Sequence, residues 1–96
     1  MQFDVVFTQK ADDTFDAIGS QILKRWGERE LLNFRRRVYD VVEVISRSPL
    51  IFRSVSNNDN IRKAVVHKNC SMFYEIKEQR IDILFFWDNR QDPILL

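Results

Sequence analysis

The stretch RIDILFFWDNRQDP, residues 80–93, decides the fold. From Ile81 to Trp87 every residue except Asp82 is apolar, which predicts a strand covered on both faces and lying inside a sheet. The pattern then changes within one residue to Asp88-Asn89-Arg90-Gln91-Asp92-Pro93. The Asx residues favour turns, and Pro93 cannot donate to a ladder, so the strand stops there. A rigid inner strand that delivers Arg90 between Asp88 and Asp92 holds a guanidinium still, as recognition of a phosphate or carboxylate requires. The plainer reading of the same residues is a salt-bridged turn that only ends the sheet.

Working back from this strand, residues 71–77 (SMFYEIK) and 61–67 (IRKAVVH) alternate in the manner of strands and are joined by short turns. Together with the final strand they predict a three-strand meander. Residues 54–60 (SVSNNDN) are polar and turn-rich and are expected to be the one mobile loop. Further back, Leu31, Phe34, Val38, Val41 or Val42, and Ile45 form the inner stripe of a helix that begins at Glu28 and is closed by Pro49. An earlier helix carries Ala11, Phe15, Ile18, Ile22 and Trp26 on one stripe. Thr8 is its N-cap, and Gly27 makes the corner to the next helix. Phe3, Val5 and Phe7 lie on one face of a short first strand. The predicted order is β-α-α-β-β-β: an α+β domain over residues 1–96, its antiparallel sheet covered on one face by an N-terminal helix hairpin.

Composition narrows the classes. A chain of 96 residues with 45% hydrophobic content has core enough for one small domain. Its single cysteine excludes an internal disulfide, and one histidine leaves no set of soft metal ligands, so no metal or small-molecule cofactor is expected. No apolar run approaches the ~18 residues of a membrane span, and a cytoplasmic protein is expected. The net charge of +1 hides a segregation, with both ends acidic and the middle basic. This admits a nucleic acid or an acidic protein as partner without choosing between them. The run Arg35-Arg36-Arg37 does not choose either, because consecutive helix residues point about 100° apart and form a band, not a patch.

With the hairpin on one side of the sheet, the other face and its rim are expected to be free to act. In the strand at residues 61–67, alternation puts Arg62, Ala64 and Val66 on one face and Lys63, Val65 and His67 on the other, with Lys68 at the turn. No nucleophile elbow, phosphate loop or zinc frame is present. Metal-free RNA cleavage needs a general base, a general acid and cations, and His67, Tyr74, Lys68 and Arg90 are the residues that could supply them.

Taken whole, the chain resembles toxins of the RelE/ParE superfamily of type II toxin–antitoxin systems. The resemblance rests on the element order, on LLNFRRRVYDVVEVISRSP, on RKAVVHKN and SMFYEI, and on ILFFWDNRQDP. The piece FFWDNRQDP is similar to the aromatic-D-x-R-x-x-P ending of ParE-like plasmid-stabilisation proteins. What it implies is a growth-inhibiting toxin neutralised by a cognate antitoxin, with DNA gyrase as target in the ParE-like branch or ribosome-bound messenger RNA in the RelE-like branch. It makes Arg90, with Arg62 and Lys63, candidates for target binding, and the basic strand end and the charged turn add Lys68 and Asp88. Phe52, Ile94, Leu95 and Leu96 are candidates for antitoxin binding. Two departures weigh against cleavage: Ser71 stands where nuclease members commonly carry an arginine, and Ile94-Leu95-Leu96 where they carry a tyrosine or histidine. A non-toxic structural or adaptor domain is the remaining alternative.

Overall fold

The computed structural model describes residues 2–55 and 57–91. The elements are β1 (Asp4–Phe7), α1 (Gln9–Trp26), α2 (Glu28–Arg47), β2 (Ser54–Val55), β3 (Asn58–His67), β4 (Cys70–Ile76) and β5 (Arg80–Asp88). They form a helix hairpin against one sheet of order β1-β5-β4-β3-β2, so β5 is an inner strand, as its apolar run predicts. No helix among the described residues is long and apolar enough to cross a membrane.

The meander β3-β4-β5 is antiparallel, but β1 lies parallel to β5, with Val5 opposite Ile81. The expected antiparallel sheet is formed by β2 to β5, and β1 adds to it as a parallel edge strand. The connection between β1 and β5 is the rest of the domain, long enough to return the chain in either direction. β1 ends at Phe7, and beyond it two threonines of the first helix take over the exposed side of β5. Thr8 caps α1 by accepting from the Ala11 N–H at 3.0 Å, and its hydroxyl lies 2.9 Å from the carbonyl oxygens of Ile83 and Leu84. Thr14 accepts from the Phe86 N–H at 2.9 Å. These bonds serve β5 where its register slips, with Tyr74 opposite Ile83 and Phe73 opposite Phe85, so that Leu84 is an extra residue.

The two helices meet at Gly27, whose φ of 91° lies in the region that a Cβ disfavours. Its N–H donates to the Leu23 carbonyl and its own carbonyl accepts from Leu31, so one residue ends α1 and starts α2. Phe34, Val38, Val41 and Ile45 of α2 are buried against the sheet. On the outer side Glu43 and Arg47 pair at 3.6 Å.

Residues 54–55 and 58–60 are not part of the loop their composition predicts. Ser54–Val55 pairs with β3, and residues 58–60 belong to β3 itself. The reason is Arg62, whose guanidinium donates to the carbonyls of Phe52 at 2.8 Å, Asp59 at 3.2 Å and Leu50 at 3.3 Å. One side chain thus satisfies three backbone acceptors and folds a polar segment that has no apolar face of its own.

Candidate functional site

The turn that follows β5 is built by Asp88. Its Oδ1 accepts from the backbone N–H of Arg90 at 2.9 Å, an Asx turn, and from Arg90 Nε at 3.0 Å, while its Oδ2 accepts from Arg90 Nη2 at 2.7 Å. The hydrogen bonds from Arg90 hold the Asp88 carboxyl below the usual carboxylate range against the opposing effect of burial, with a smaller contribution from the Arg25 charge. The turn is also tied at its back. Asn89 donates its N–H to the Asn69 carbonyl at 2.7 Å and accepts from the Ser71 hydroxyl at 3.0 Å, and Arg90 Nη2 reaches Gln21 of α1 at 3.4 Å. Asp92, the second carboxylate expected to flank Arg90, lies outside the described residues, as do Ile94, Leu95 and Leu96.

The sheet register brings His67, Cys70 and Asp88 into one row across three strands. His67 and Arg90 consequently line one small cavity with Gln21, Ile22 and Trp26. Its volume of about 10 Å³ is at most that of one water, not of a substrate.

His67 does not lie on the face that alternation assigns to it. Val65 pairs with Ser71 and His67 with Cys70, leaving Val66 as an extra residue that breaks the two-residue period. The imidazole therefore turns toward the helix hairpin, where it packs 5.8 Å from the Trp26 ring and edge-on to Phe34 at 6.1 Å. Its side chain is 7% exposed. Nδ1 accepts from the Asn69 N–H at 3.3 Å, which leaves the proton on Nε2 to bond Glu30 Oε1 at 3.0 Å. Both nitrogens are engaged in scaffold bonds.

The other candidates separate. Tyr74 is buried; its hydroxyl donates to the Pro49 carbonyl at 2.8 Å, and burial pushes its pKa up to about 12, unsuited to proton transfer at neutral pH. Arg62 is taken up by the carbonyls of Leu50, Phe52 and Asp59 already described. Lys63 and Val65 are exposed on the face away from the helices, but that face is not the free surface expected. Ser71, Phe73 and Phe85 are buried on it, with the two rings stacked at 4.8 Å and the Lys10 ammonium 5.0 Å above Phe85. Phe52 is half-buried and packs on the core, while its neighbours Leu50 and Ile51 are the exposed apolar residues.

Lys68 does join the Arg90 end of the molecule. Its ammonium lies 5.4 Å from the centre of the Trp26 ring, which Arg25 approaches at 5.8 Å. The contributions of Gln21, Arg25, Trp26 and Glu30 do not show in the sequence pattern. Trp26 falls on the apolar stripe of α1 and reads as core, and a basic residue in the last turn of a helix reads as a complement to the helix dipole. The one available signal was a large aromatic at the final helical position, directly before a glycine corner.

Comparison with known proteins agrees with this architecture. The family described as ParE toxin of type II toxin–antitoxin system, parDE, matches residues 5–93. Among solved structures, the chain is similar to one of the chromosomal ParDE toxin–antitoxin system from P. aeruginosa, with TM-score 0.73, 18% identity, and coverage of 91% of this chain and 96% of that one. It is similar to a chain of the RelBE2 toxin–antitoxin complex from Mycobacterium tuberculosis, with TM-score 0.64, 17% identity, and coverage of 92% and 99%. It is also similar to a chain of the E. coli DinJ-YafQ toxin–antitoxin complex, with TM-score 0.66, 9% identity, and coverage of 94% and 96%. At these identities the structural likeness speaks for the fold alone. A search of curated proteins gives no match.

Proposed function

We propose that this chain, which belongs to the ParE toxin family of type II toxin–antitoxin systems, arrests growth by binding a macromolecular target, DNA gyrase, rather than by cutting RNA. Being the toxin component of such a system, it has a cognate antitoxin as partner. The observation that carries the binding reading is the use to which His67 and Tyr74 are put. Both are buried in scaffold hydrogen bonds, so neither is free to exchange protons with a substrate. Arg90, in contrast, is exposed and held in one orientation by a bidentate carboxylate, the form in which an arginine serves as an anchor at an interface.

Expression of the protein without its antitoxin is expected to make cells filament and to induce a DNA-damage response. Arg90→Ala should weaken target binding by roughly 30-fold or more, as truncation of an interface anchor does, and restore colony formation with only a modest fall in melting temperature from unpairing Asp88. A fall in melting temperature with toxicity retained would make the turn a purely structural element. Co-expression with the adjacent small reading frame should yield a stable complex and healthy cells. RNA cleavage as the mode of action instead requires that His67→Ala abolish new message ends on ribosomes while leaving antitoxin binding intact.

A further inference from the structure

We infer a second binding site, for a single-stranded nucleic acid, at the end of the molecule where α1 stops and β3 turns into β4. Its centre is the indole of Trp26, which is 39% exposed. An apolar residue in the last turn of a helix gains little from being a tryptophan unless its ring has work at the surface, since the core below is closed by Ile22, Phe34 and the His67 ring. Two cations are placed against that ring from different parts of the chain, Arg25 from α1 and Lys68 from the β3–β4 turn. A helix C-terminus explains Arg25 through the dipole. It does not explain Lys68, which arrives from the sheet.

A part-exposed indole with two cations over its ring matches a polynucleotide strand, in which an unpaired base takes the place of a mobile cation on the ring and that cation moves to the neighbouring phosphate. The nearby carboxylates leave the field positive, because Asp88 is bound to Arg90 and only Glu30, hydrogen-bonded to a neutral His67, stands against Arg25 and Lys68, which have no ion-pair partner among the described residues. Duplex fits less well, since its bases are already stacked and present no face to the indole. An acidic peptide would satisfy the cations but has no use for the ring. The site deepens the toxin reading, placing a strand of opened nucleic acid beside the protein target, and rests on that reading only for its setting.

The test is binding of the purified full-length protein to short labelled oligothymidylate, oligouridylate and a duplex, followed by anisotropy over a series of salt concentrations. Single strands should bind more tightly than duplex. Trp26→Leu should weaken single-strand binding roughly 5- to 100-fold, the range for loss of one base–aromatic stack, and Trp26→Phe should recover most of it. Lys68→Gln should lower the slope of log affinity against log salt by about 0.7. Lys77→Gln, at the far end of β4, should change neither. Preference for thymidylate or uridylate reports the combined effect of the sugar and the base's 5-methyl group, and either supports the site. Circular dichroism of each variant separates loss of the site from loss of the fold. The inference is overturned by absence of single-strand binding at low salt, by equal binding of duplex, by polyglutamate competing as well as oligothymidylate, or by an equal effect of Lys77→Gln. Retained binding in a protein that fails to arrest growth would refute the toxin reading and leave the site standing.

Discussion

Raising the pH from 8 to 11 is expected to remove about 4 kcal/mol from the stability of the fold, a tenfold change in an ionisation constant being worth about 1.4 kcal/mol. Two buried weak acids cause this. Burial pushes the Cys70 thiol from 9.0 up to about 12, with the Asp88 charge adding to the effect, and pushes the Tyr74 phenol from 10.0 up to about 12. In the unfolded chain the thiol ionises near 9 and the phenol near 10. Between those values and 12 the unfolded state releases protons that the folded state keeps, so stability is full below pH 9 and falls as the pH rises toward 12. The loss is a large part of the ~5–14 kcal/mol expected for a domain of this length. Urea denaturation at the two pH values measures it. Cys70→Ala should retain only the tyrosine part, roughly a third of the loss. A change below about 1 kcal/mol would show that neither group is as dry as the structure has it.

Phe34→Ala is the core substitution with the largest expected cost, about 4 kcal/mol. Phe34 is fully buried where the two layers meet, with ring centres of Phe15 at 5.2 Å and Phe86 at 6.4 Å and its contact to His67 at 6.1 Å. Removing the ring opens a cavity between the hairpin and the inner strand, and the surrounding aromatics are too large to collapse into it. For a domain of this size the melting temperature should drop by roughly 15–30 °C. Because Phe34 also backs His67, and His67 backs Trp26, the loosening should reach the Trp26 end of the molecule. Hydrogen exchange at Asn69, whose N–H bonds the imidazole, should accelerate more than the global loss of stability accounts for. If the destabilisation is below about 1 kcal/mol, the hairpin is not anchored on this ring.

Much of this architecture is legible in the residues because local and tertiary preferences agree. Thr8 caps, Gly27 turns, the α2 stripe is buried, and the run from Ile81 to Trp87 is an inner strand. The resemblance to ParE-like toxins, carried by FFWDNRQDP and the element order, agrees with the family to which the chain belongs. What alternation alone cannot show is a slip in register. The extra residue Val66 turns His67 from the sheet's outer face to the helix side and converts a candidate base into part of the scaffold. Composition likewise fails at residues 54–55 and 58–60, where the order comes from Arg62, a residue outside the segment. The parallel placement of β1 depends on contacts between the two ends of the chain, and Thr14, which secures β5, reads in sequence as an ordinary helical threonine. Arg90 was legible as a residue held by an aspartate, and Asp88 holds it.

The claim that this toxin acts by binding gyrase meets its most direct test in one assay run on two targets. Purified protein is added to gyrase with relaxed plasmid and, in parallel, to ribosomes carrying a defined message. The account predicts that supercoiling stops and cleaved plasmid accumulates, that Arg90→Ala abolishes both effects while His67→Ala, where it folds, retains them, and that the message stays whole. Full supercoiling alongside new message ends that vanish with His67→Ala would contradict it.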